Sequence, residues 1–149
     1  MNVFESARHV QEVHFDSISV GDEATLEVKI TAELIEQFAA ISTDVNPIHL
    51  LDDFAKESIF KERIAHGMLI CSFISSVLGT KLPGKNTIYL SQEVFFKAPV
   101  KINDTIKVIV SVIRKRDDKK LLTLQTNVYN QENVLVVEGS ALVKKLTSP

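Results

Sequence analysis

The sequence of 149 residues predicts one domain of the α+β class, covering residues 1–149. Apolar and polar residues alternate in one early segment, and four strand-like segments fill the second half of the chain. The segments between them carry apolar residues at helical spacing. Because the helices come together and the later strands follow one another, the order indicates an α+β architecture. No internal repeat or Pro/Gly/Ser-rich linker divides the chain.

The first predicted strand leads directly into the first predicted helix. Residues 24–30 alternate between apolar and polar side chains, which predicts a strand with one solvated face. Thr31 is expected to cap the helix that follows, because its hydroxyl can accept a hydrogen bond from a free N-terminal amide. That helix should end near Ser42 and bury a stripe of four residues, Leu34, Ile35, Phe38 and Ile41.

Two further helices are predicted before the chain turns to strands. Asp52 is expected to cap a short helix that runs through Phe60. Residues 67–79 contain no charged side chain, so this longer helix should be buried on every side. Its large apolar face consists of Ile70, Phe73, Ile74 and Val77, and its small face of Ser72, Ser75, Ser76 and Gly79. The small face either accepts a close backbone or borders a tunnel for a linear apolar group.

Four strands are predicted after residue 86, at 87–94, 105–116, 121–129 and 134–144. Short polar turns join the last three, which predicts an antiparallel meander. Two strands are apolar on both faces: Ile106, Val108, Val110 and Val112 oppose Ile109 and Ile113, and Val134 and Val136 oppose Leu135 and Val137. One apolar helix covers one face of a sheet. A second subunit is therefore expected to cover part of the rest, in a homodimer.

Composition narrows the class of partner. A net charge of −2 without a long basic run argues against nucleic acid or an anionic membrane, so a small molecule is expected. Cys71 is the only cysteine, which excludes a disulfide within the chain and favours a reducing compartment. The first residues do not read as a secretory signal peptide. The longest apolar stretch, 68–78, is shorter than the about 20 residues of a membrane span. A cytoplasmic location without membrane association is expected.

A loop with the pattern Asp44-x-Asn46-Pro47-x-His49 carries residues typical of an active site. Pro47 fixes its own φ and favours extended backbone at Asn46, so the loop has fewer conformations to lose. Asp44 and His49 converge only if the loop curls, which Asp and Asn promote through side-chain to backbone hydrogen bonds. Two interpretations are open on the loop alone: an acid–base pair, or an ordinary turn with a structural histidine.

The neighbouring His66-Gly67-Met68 favours the acid–base interpretation. Gly67 lets a ligand approach the backbone, and its N–H at a helix N-terminus can bind an oxygen anion. His66 is interpreted as a structural hydrogen-bonding residue without a catalytic role. The histidines and Cys71 lack the close paired spacing of zinc ligands. Neither a metal site nor a cofactor is predicted.

Four segments together resemble the R-specific enoyl-CoA hydratases of the MaoC-like, hotdog-fold family. They are Asp44-x-Asn46-Pro47-x-His49, Ala65-His66-Gly67-Met68-Leu69, Leu82-Pro83-Gly84 and Phe95-Phe96-Lys97-Ala98-Pro99-Val100. The resemblance extends from about Val13 to Lys145. It implies a hotdog fold, in which a long central helix is wrapped by a curved antiparallel β-sheet, and a dimer as the functional unit.

The resemblance also implies an activity, the reversible hydration of trans-2-enoyl-CoA to (R)-3-hydroxyacyl-CoA. Asp44 and His49 would hold and activate one water, with Asp44 expected as the base and His49 as the acid, and the reverse left open. The Gly67 N–H would bind the thioester oxygen, and Asn46 would orient the loop or the water. The acyl-pocket candidates are Ser72, Ser75 and Leu78. An acyl-CoA is the implied substrate, and CoA enters only as part of it.

Three other functions stay open: a hotdog dehydratase, a thioesterase acting on acyl-ACP or acyl-CoA, and a non-catalytic acyl-binding domain. Related enzymes of the first two kinds usually carry their acidic residue on the central helix, and residues 67–78 contain no acid. The presence of both Asp44 and His49 argues against the third.

Overall fold

The structure is a computed structural model that describes residues 1–147. Its sheet has five antiparallel strands in the order β1-β3-β4-β5-β2. The strands are β1 (Glu23–Lys29), β2 (Thr87–Phe96), β3 (Thr105–Arg116), β4 (Leu121–Tyr129) and β5 (Leu135–Lys145). The last three form the predicted meander. Strand β2, which precedes them in the chain, pairs with β5 and forms one edge of the sheet. With the helices described next, this confirms the α+β class.

Residues 1–147 also contain a 3₁₀ turn (Phe15–Ser17) and five α-helices: α1 (Val3–Arg8), α2 (Ala32–Ser42), α3 (Pro47–Leu50), α4 (Asp52–Glu57) and α5 (Gly67–Thr80). The central helix α5 packs against β1, β2 and β3 and buries Leu69, Ile70, Cys71, Ile74, Val77 and Leu78. Register shifts interrupt the pairing of β2, β3 and β4. Because such bulges bend strands, they allow the sheet to curve around α5, as the hotdog resemblance implied.

Helix α2 forms largely as predicted. The Thr31 side chain accepts a hydrogen bond from the Leu34 N–H at 3.2 Å, and the helix ends at Ser42. Ile35 is fully buried, but Ile41 is 82% exposed, so its inclusion in the buried stripe was wrong. The reason is its position one residue before the end of the helix, where no element of the core lies beneath it.

No helix within residues 1–147 is long and apolar enough to cross a bilayer.

The structure corrects three other expectations. Asp52 is the first residue of α4 rather than its cap, and the helix ends at Glu57 because Ser58 adopts extended backbone. Helix α5 is not buried all round in the single chain, since Ser72 and Ser75 are exposed. The expected alternation of Val136 with Val137 is also wrong. Both are buried, next to the register shift between β4 and β5.

Candidate functional site

The end of α2 directs Asp44 towards a cavity that several of the predicted site residues also line. Thr43 follows the last helical residue with φ 64°, a left-handed conformation that is strained for a β-branched residue. The chain therefore turns sharply, and the Asp44 N–H bonds the Ser42 hydroxyl at 3.2 Å. The Asp44 side chain then accepts a hydrogen bond from the Asn46 N–H at 3.2 Å. This is the side-chain to backbone bond that the sequence predicted for a curled loop.

The segment after Asp44 is a short helix rather than an irregular loop. Asn46 is the N-cap of α3, and its side-chain oxygen accepts a hydrogen bond from the Ile48 N–H at 3.3 Å. Pro47 occupies the first helical position, where the missing N–H costs no hydrogen bond. His49 lies in the only turn of α3 and is buried. The predicted convergence of Asp44 and His49 thus comes from an N-capped helical turn.

Segment 63–64 fixes the orientation of the His49 ring. His49 Nδ1 donates to the Ile64 carbonyl oxygen at 2.8 Å, since a carbonyl can only accept. The Arg63 Nε–H donates to the His49 carbonyl oxygen at 2.7 Å, and the Ile64 N–H donates to the carbonyl of Ile48. In the neutral imidazole, Nδ1 therefore carries the hydrogen and Nε2 carries the lone pair. His49 is oriented as a proton acceptor.

His66 lies directly beside both residues. Its Nε2–H donates to the Asp44 carbonyl oxygen at 2.9 Å. Its ring stacks on the His49 ring with centroids 3.8 Å apart, and the Phe38 ring meets it edge-on at 4.9 Å. The bond to Asp44 agrees with the structural hydrogen-bonding role predicted for His66, whereas the stacking on His49 was not predicted. The available signal was its place immediately before Gly67.

The N-terminus of α5 forms one wall of the same cavity. Gly67 is the first residue of α5, and neither its N–H nor that of Met68 makes a hydrogen bond within residues 1–147. These two amides stand at the positive end of a 14-residue helix. The cavity has a volume of about 490 Å³, and Asp44, His49, His66 and Gly67 all line it. The other lining side chains are Phe60, Ile64, Ala65, Met68, Ile70, Phe96, Lys97, Ala98, Pro99, Val100, Val136 and Val137.

Burial favours the neutral form of His49. Burial lowers the pKa of His49, and the adjacent His66 lowers it further. The hydrogen bond to Ile64 and the Asp44 carboxylate raise it by less, so the net pKa of His49 lies below its usual 6.5. A neutral imidazole is therefore favoured at neutral pH.

Burial raises the pKa of the Cys71 thiol, which disfavours the reactive thiolate form.

The site is poorly shaped for a metal ion. A carboxylate oxygen of Asp44 and one ring nitrogen each of His49 and His66 lie within 4.8 Å of one another. One nitrogen of each ring is already bonded to a main-chain carbonyl, His49 Nδ1 to Ile64 and His66 Nε2 to Asp44, and the two rings are stacked with 26° between their planes. The arrangement suits hydrogen bonding to a small ligand better than tetrahedral coordination.

The acyl-pocket candidates do not reach this cavity within residues 1–147. Ser72 and Ser75 are exposed on α5, and Leu78 is buried in the core between helix and sheet. At about 1.5 Å per residue, Leu78 lies roughly 16 Å along the helix from Gly67. The cavity near Gly67 is walled instead by residues of the β2 end and of β5. Contact of Ser72, Ser75 and Leu78 with an acyl chain stays a prediction.

Comparison with known proteins places the chain in a family. Residues 17–134 match the model of the MaoC like domain. An (R)-specific enoyl-CoA hydratase of Rhodospirillum rubrum is 45% identical over 87% of this chain and 90% of its own length. The (R)-specific enoyl-CoA hydratase of Aeromonas caviae is 43% identical over 86% of this chain and 96% of its own.

The folds agree as well. The R-hydratase PhaJ1 of Pseudomonas aeruginosa superposes with a TM-score of 0.89 at 40% identity, over 93% of this chain and 89% of that one. The (R)-hydratase of A. caviae involved in PHA biosynthesis gives a TM-score of 0.85 at 42% identity, over 87% of this chain and 98% of that one. The chain therefore belongs to the MaoC-like, hotdog-fold family, among the relatives of the (R)-specific enoyl-CoA hydratases.

Proposed function

We propose that this protein catalyses the reversible hydration of trans-2-enoyl-CoA to (R)-3-hydroxyacyl-CoA. One observation carries the proposal: Asp44, His49 and the free amide of Gly67 line a single cavity with largely apolar walls. The handedness of the product is taken from relatives that are 43% and 45% identical and named (R)-specific. Hydration of this kind needs a base, a proton and an anion-binding amide, and it needs no cofactor.

The spacing of Asp44 and His49 suits one shared water. A water that donates two hydrogen bonds of about 2.8 Å spans acceptors roughly 4.5 Å apart. The Asp44 carboxylate and a His49 ring nitrogen lie within 4.8 Å of each other, which supports such a clamp. The water oxygen is then left with its lone pairs free to attack C3 of the enoyl group. Asn46 contributes by capping the turn that carries His49.

The hydrogen bonds of His49 support it as the base, the reverse of the assignment expected from the sequence. Its Nδ1–H is bound to Ile64, so a neutral ring accepts at Nε2 and has no proton to donate there. Nε2 takes one proton from the water as the oxygen bonds to C3, while Asp44 accepts a hydrogen bond from the other hydrogen, which stays on the oxygen as the product hydroxyl. The resulting imidazolium is stabilised by the Asp44 carboxylate.

As the water oxygen bonds to C3, the π electrons of the double bond between C2 and C3 move towards the thioester oxygen. That oxygen gains negative charge in an enolate-like intermediate, which the Gly67 N–H binds at the positive end of α5. The imidazolium of His49 then returns its proton to C2 and is neutral again. One water has been added in total, with no other proton source. Both additions come from the same side of the substrate, because one clamp supplies both.

The proposal includes a homodimer. Strand β2 forms an edge of the sheet and exposes apolar side chains, with Leu90 49% and Phe95 52% accessible. An exposed apolar edge strand is normally covered, and pairing with β2 of a second copy would cover it. A cytoplasmic location fits a chain whose single cysteine is buried and forms no disulfide.

The activity is tested by following the ultraviolet absorbance of crotonyl-CoA and longer enoyl-CoAs with the purified protein. Enoyl absorbance should fall on hydration, and the product should be oxidised by an R-specific but not by an S-specific 3-hydroxyacyl-CoA dehydrogenase. Crotonyl-ACP serves as the competing substrate, because a plant mitochondrial 3-hydroxyacyl-ACP dehydratase is 31% identical. No loss of absorbance with any chain length would refute the hydratase. Preference for the ACP thioester would identify a dehydratase instead.

A further inference from the structure

His66 is held between the two residues of the proposed water clamp. It is only 2% exposed and occupies the N-cap position of α5. Its side chain makes no capping hydrogen bond to α5, unlike a typical capping residue. The ring instead reaches back across 22 residues to the main chain of Asp44. The His66 ring is therefore bonded to the Asp44 segment rather than to α5, the helix that it precedes.

Each partner of His66 belongs to the reaction centre. The Nε2–H holds the Asp44 carbonyl oxygen at 2.9 Å, on the residue whose carboxylate lines the cavity. The face of the His66 ring stacks on the His49 ring, with centroids 3.8 Å apart, and the Phe38 ring contacts the His66 ring edge-on. The next residue in the chain is Gly67. One side chain thus connects the two groups that would handle the water with the amide that would bind the thioester oxygen.

The hydrogen bond to Asp44 also fixes the tautomer of His66. A carbonyl oxygen only accepts, so Nε2 carries the hydrogen and Nδ1 carries the lone pair in the neutral ring. That Nδ1 is buried and has no hydrogen-bond partner in the described part of the chain. His49 and His66 therefore carry opposite tautomers, Nδ1–H and Nε2–H respectively.

We propose that His66 is a positioning residue for hydration, which holds Asp44 and His49 in register with the Gly67 amide. This inference rests on the proposed function. The charged groups beside the two histidines are the Asp44 carboxylate, within 4.8 Å of a nitrogen of each ring, and Arg63, whose Nε–H donates to the main-chain carbonyl of His49. His66 contacts neither the water nor the substrate in this role, so its loss should misplace groups without removing any.

Two substitutions separate positioning from packing. His66→Phe keeps a planar ring for the stack but loses the donor to Asp44, whereas His66→Gln places an amide N–H close to the position of Nε2. Displacement of reacting groups by about 1 Å costs roughly 10²-fold. With crotonyl-CoA, His66→Phe should therefore lower kcat by about 10- to 100-fold with little change in KM. His66→Gln should recover much of that loss, and His9→Gln, at an exposed histidine, should match the wild type.

The tautomers provide a test that does not depend on activity. Imidazole ¹⁵N spectra of the wild type should show Nε2–H for His66 and Nδ1–H for His49. An Nδ1–H tautomer at His66 would overturn the inference even if no enoyl-CoA is hydrated. So would folded His66→Phe and His66→Gln variants that both keep the wild-type kcat, or that lose it equally. A wild type that fails to hydrate any enoyl-CoA would refute the proposed function instead, and the spectra would still decide the geometry.

Discussion

The ring of Phe96 lies directly against the Cα of Gly67. A methyl group built on that Cα would come within 2.5 Å of the Phe96 Cε1 atom, far closer than carbon atoms approach without displacement. The backbone of Gly67 does not have the positive φ that would itself require glycine. Close approach, rather than conformational freedom, is therefore what this position demands. Phe96 in turn lines the cavity beside the free amide.

Gly67→Ala should impair hydration with only a small effect on folding. The added methyl must push the Phe96 ring into the space where the thioester would lie, so kcat/KM should fall about 10- to 100-fold. Gly79→Ala is the matched control in the same helix, because a Cβ there meets nothing within 4 Å. The control should keep full activity and gain about 0.5–1 kcal/mol in the free energy of unfolding. Initial rates and thermal melts measure both.

The double variant Gly67→Ala/Phe96→Ala should regain part of the lost kcat/KM, because truncating Phe96 restores room for the methyl group. If Gly67→Ala hydrates crotonyl-CoA as fast as Gly79→Ala does, the contact with Phe96 has no bearing on substrate binding.

The pH dependence of kcat/KM should show an acid limb below pH 6.5. Burial lowers the pKa of His49 from 6.5, and the proposed base is the neutral ring. The rate should thus be constant at neutral pH and fall as the pH drops through this lowered pKa, since protonation removes the acceptor. A limb that falls with rising pH in this range would instead make His49 the acid. The profile of kcat/KM with crotonyl-CoA measures the sign.

Asn46→Ala should lower both stability and turnover. The substitution removes the oxygen that caps α3, a loss usually worth about 0.5–2 kcal/mol. Because α3 carries His49, we expect a roughly tenfold lower kcat as the turn loosens. Asn46→Asp keeps a capping oxygen and is the matched control. Chemical denaturation and initial rates should show a larger loss of stability and of turnover in Asn46→Ala than in Asn46→Asp. Equal losses in the two variants would argue against a capping role.

Sedimentation velocity tests the proposed dimer. The wild type should sediment with the mass of two chains at micromolar concentration. Leu90→Arg places a charge on the exposed edge strand β2 and should produce monomers. Val20→Arg introduces the same charge at a similarly exposed apolar residue that lies outside β2 and should remain dimeric. A monomeric wild type would contradict the dimer.

Much of the fold could be predicted from the sequence because it depends on local periodicity. Strands β3 and β4 begin and end where alternation predicted, and Thr31 caps α2 as expected. Errors occurred where tertiary packing decided the outcome. Ile41 has the helical spacing of a buried residue but lies beyond the core, and a bulge puts Val136 and Val137 on the buried side together. Neither effect leaves a signal in a short window of sequence.

Three members of the candidate site and the bond from the Asn46 N–H to Asp44 could be predicted from the sequence, but the hydrogen bonds and stacking of the two histidines could not. The loop pattern and the glycine beside it were sufficient to bring Asp44, His49 and Gly67 together, and the structure places all three on one cavity. The tautomer of His49 depends on Ile64, 15 residues away, and the stacking of His66 depends on how α5 meets α3. Such contacts arise only from the folded arrangement. For that reason the base and acid could not be distinguished beforehand.

The initial rate of crotonyl-CoA hydration by the wild type, Asp44→Asn and His49→Asn tests the central claim most directly. His49→Asn keeps a donor for the Ile64 carbonyl while removing the base, and Asp44→Asn preserves shape while removing the charge. The wild type should consume the enoyl absorbance, and each variant should be about 10²- to 10⁴-fold slower with an unchanged melting temperature. A folded Asp44→Asn or His49→Asn variant that retains near wild-type turnover would contradict the proposed water clamp.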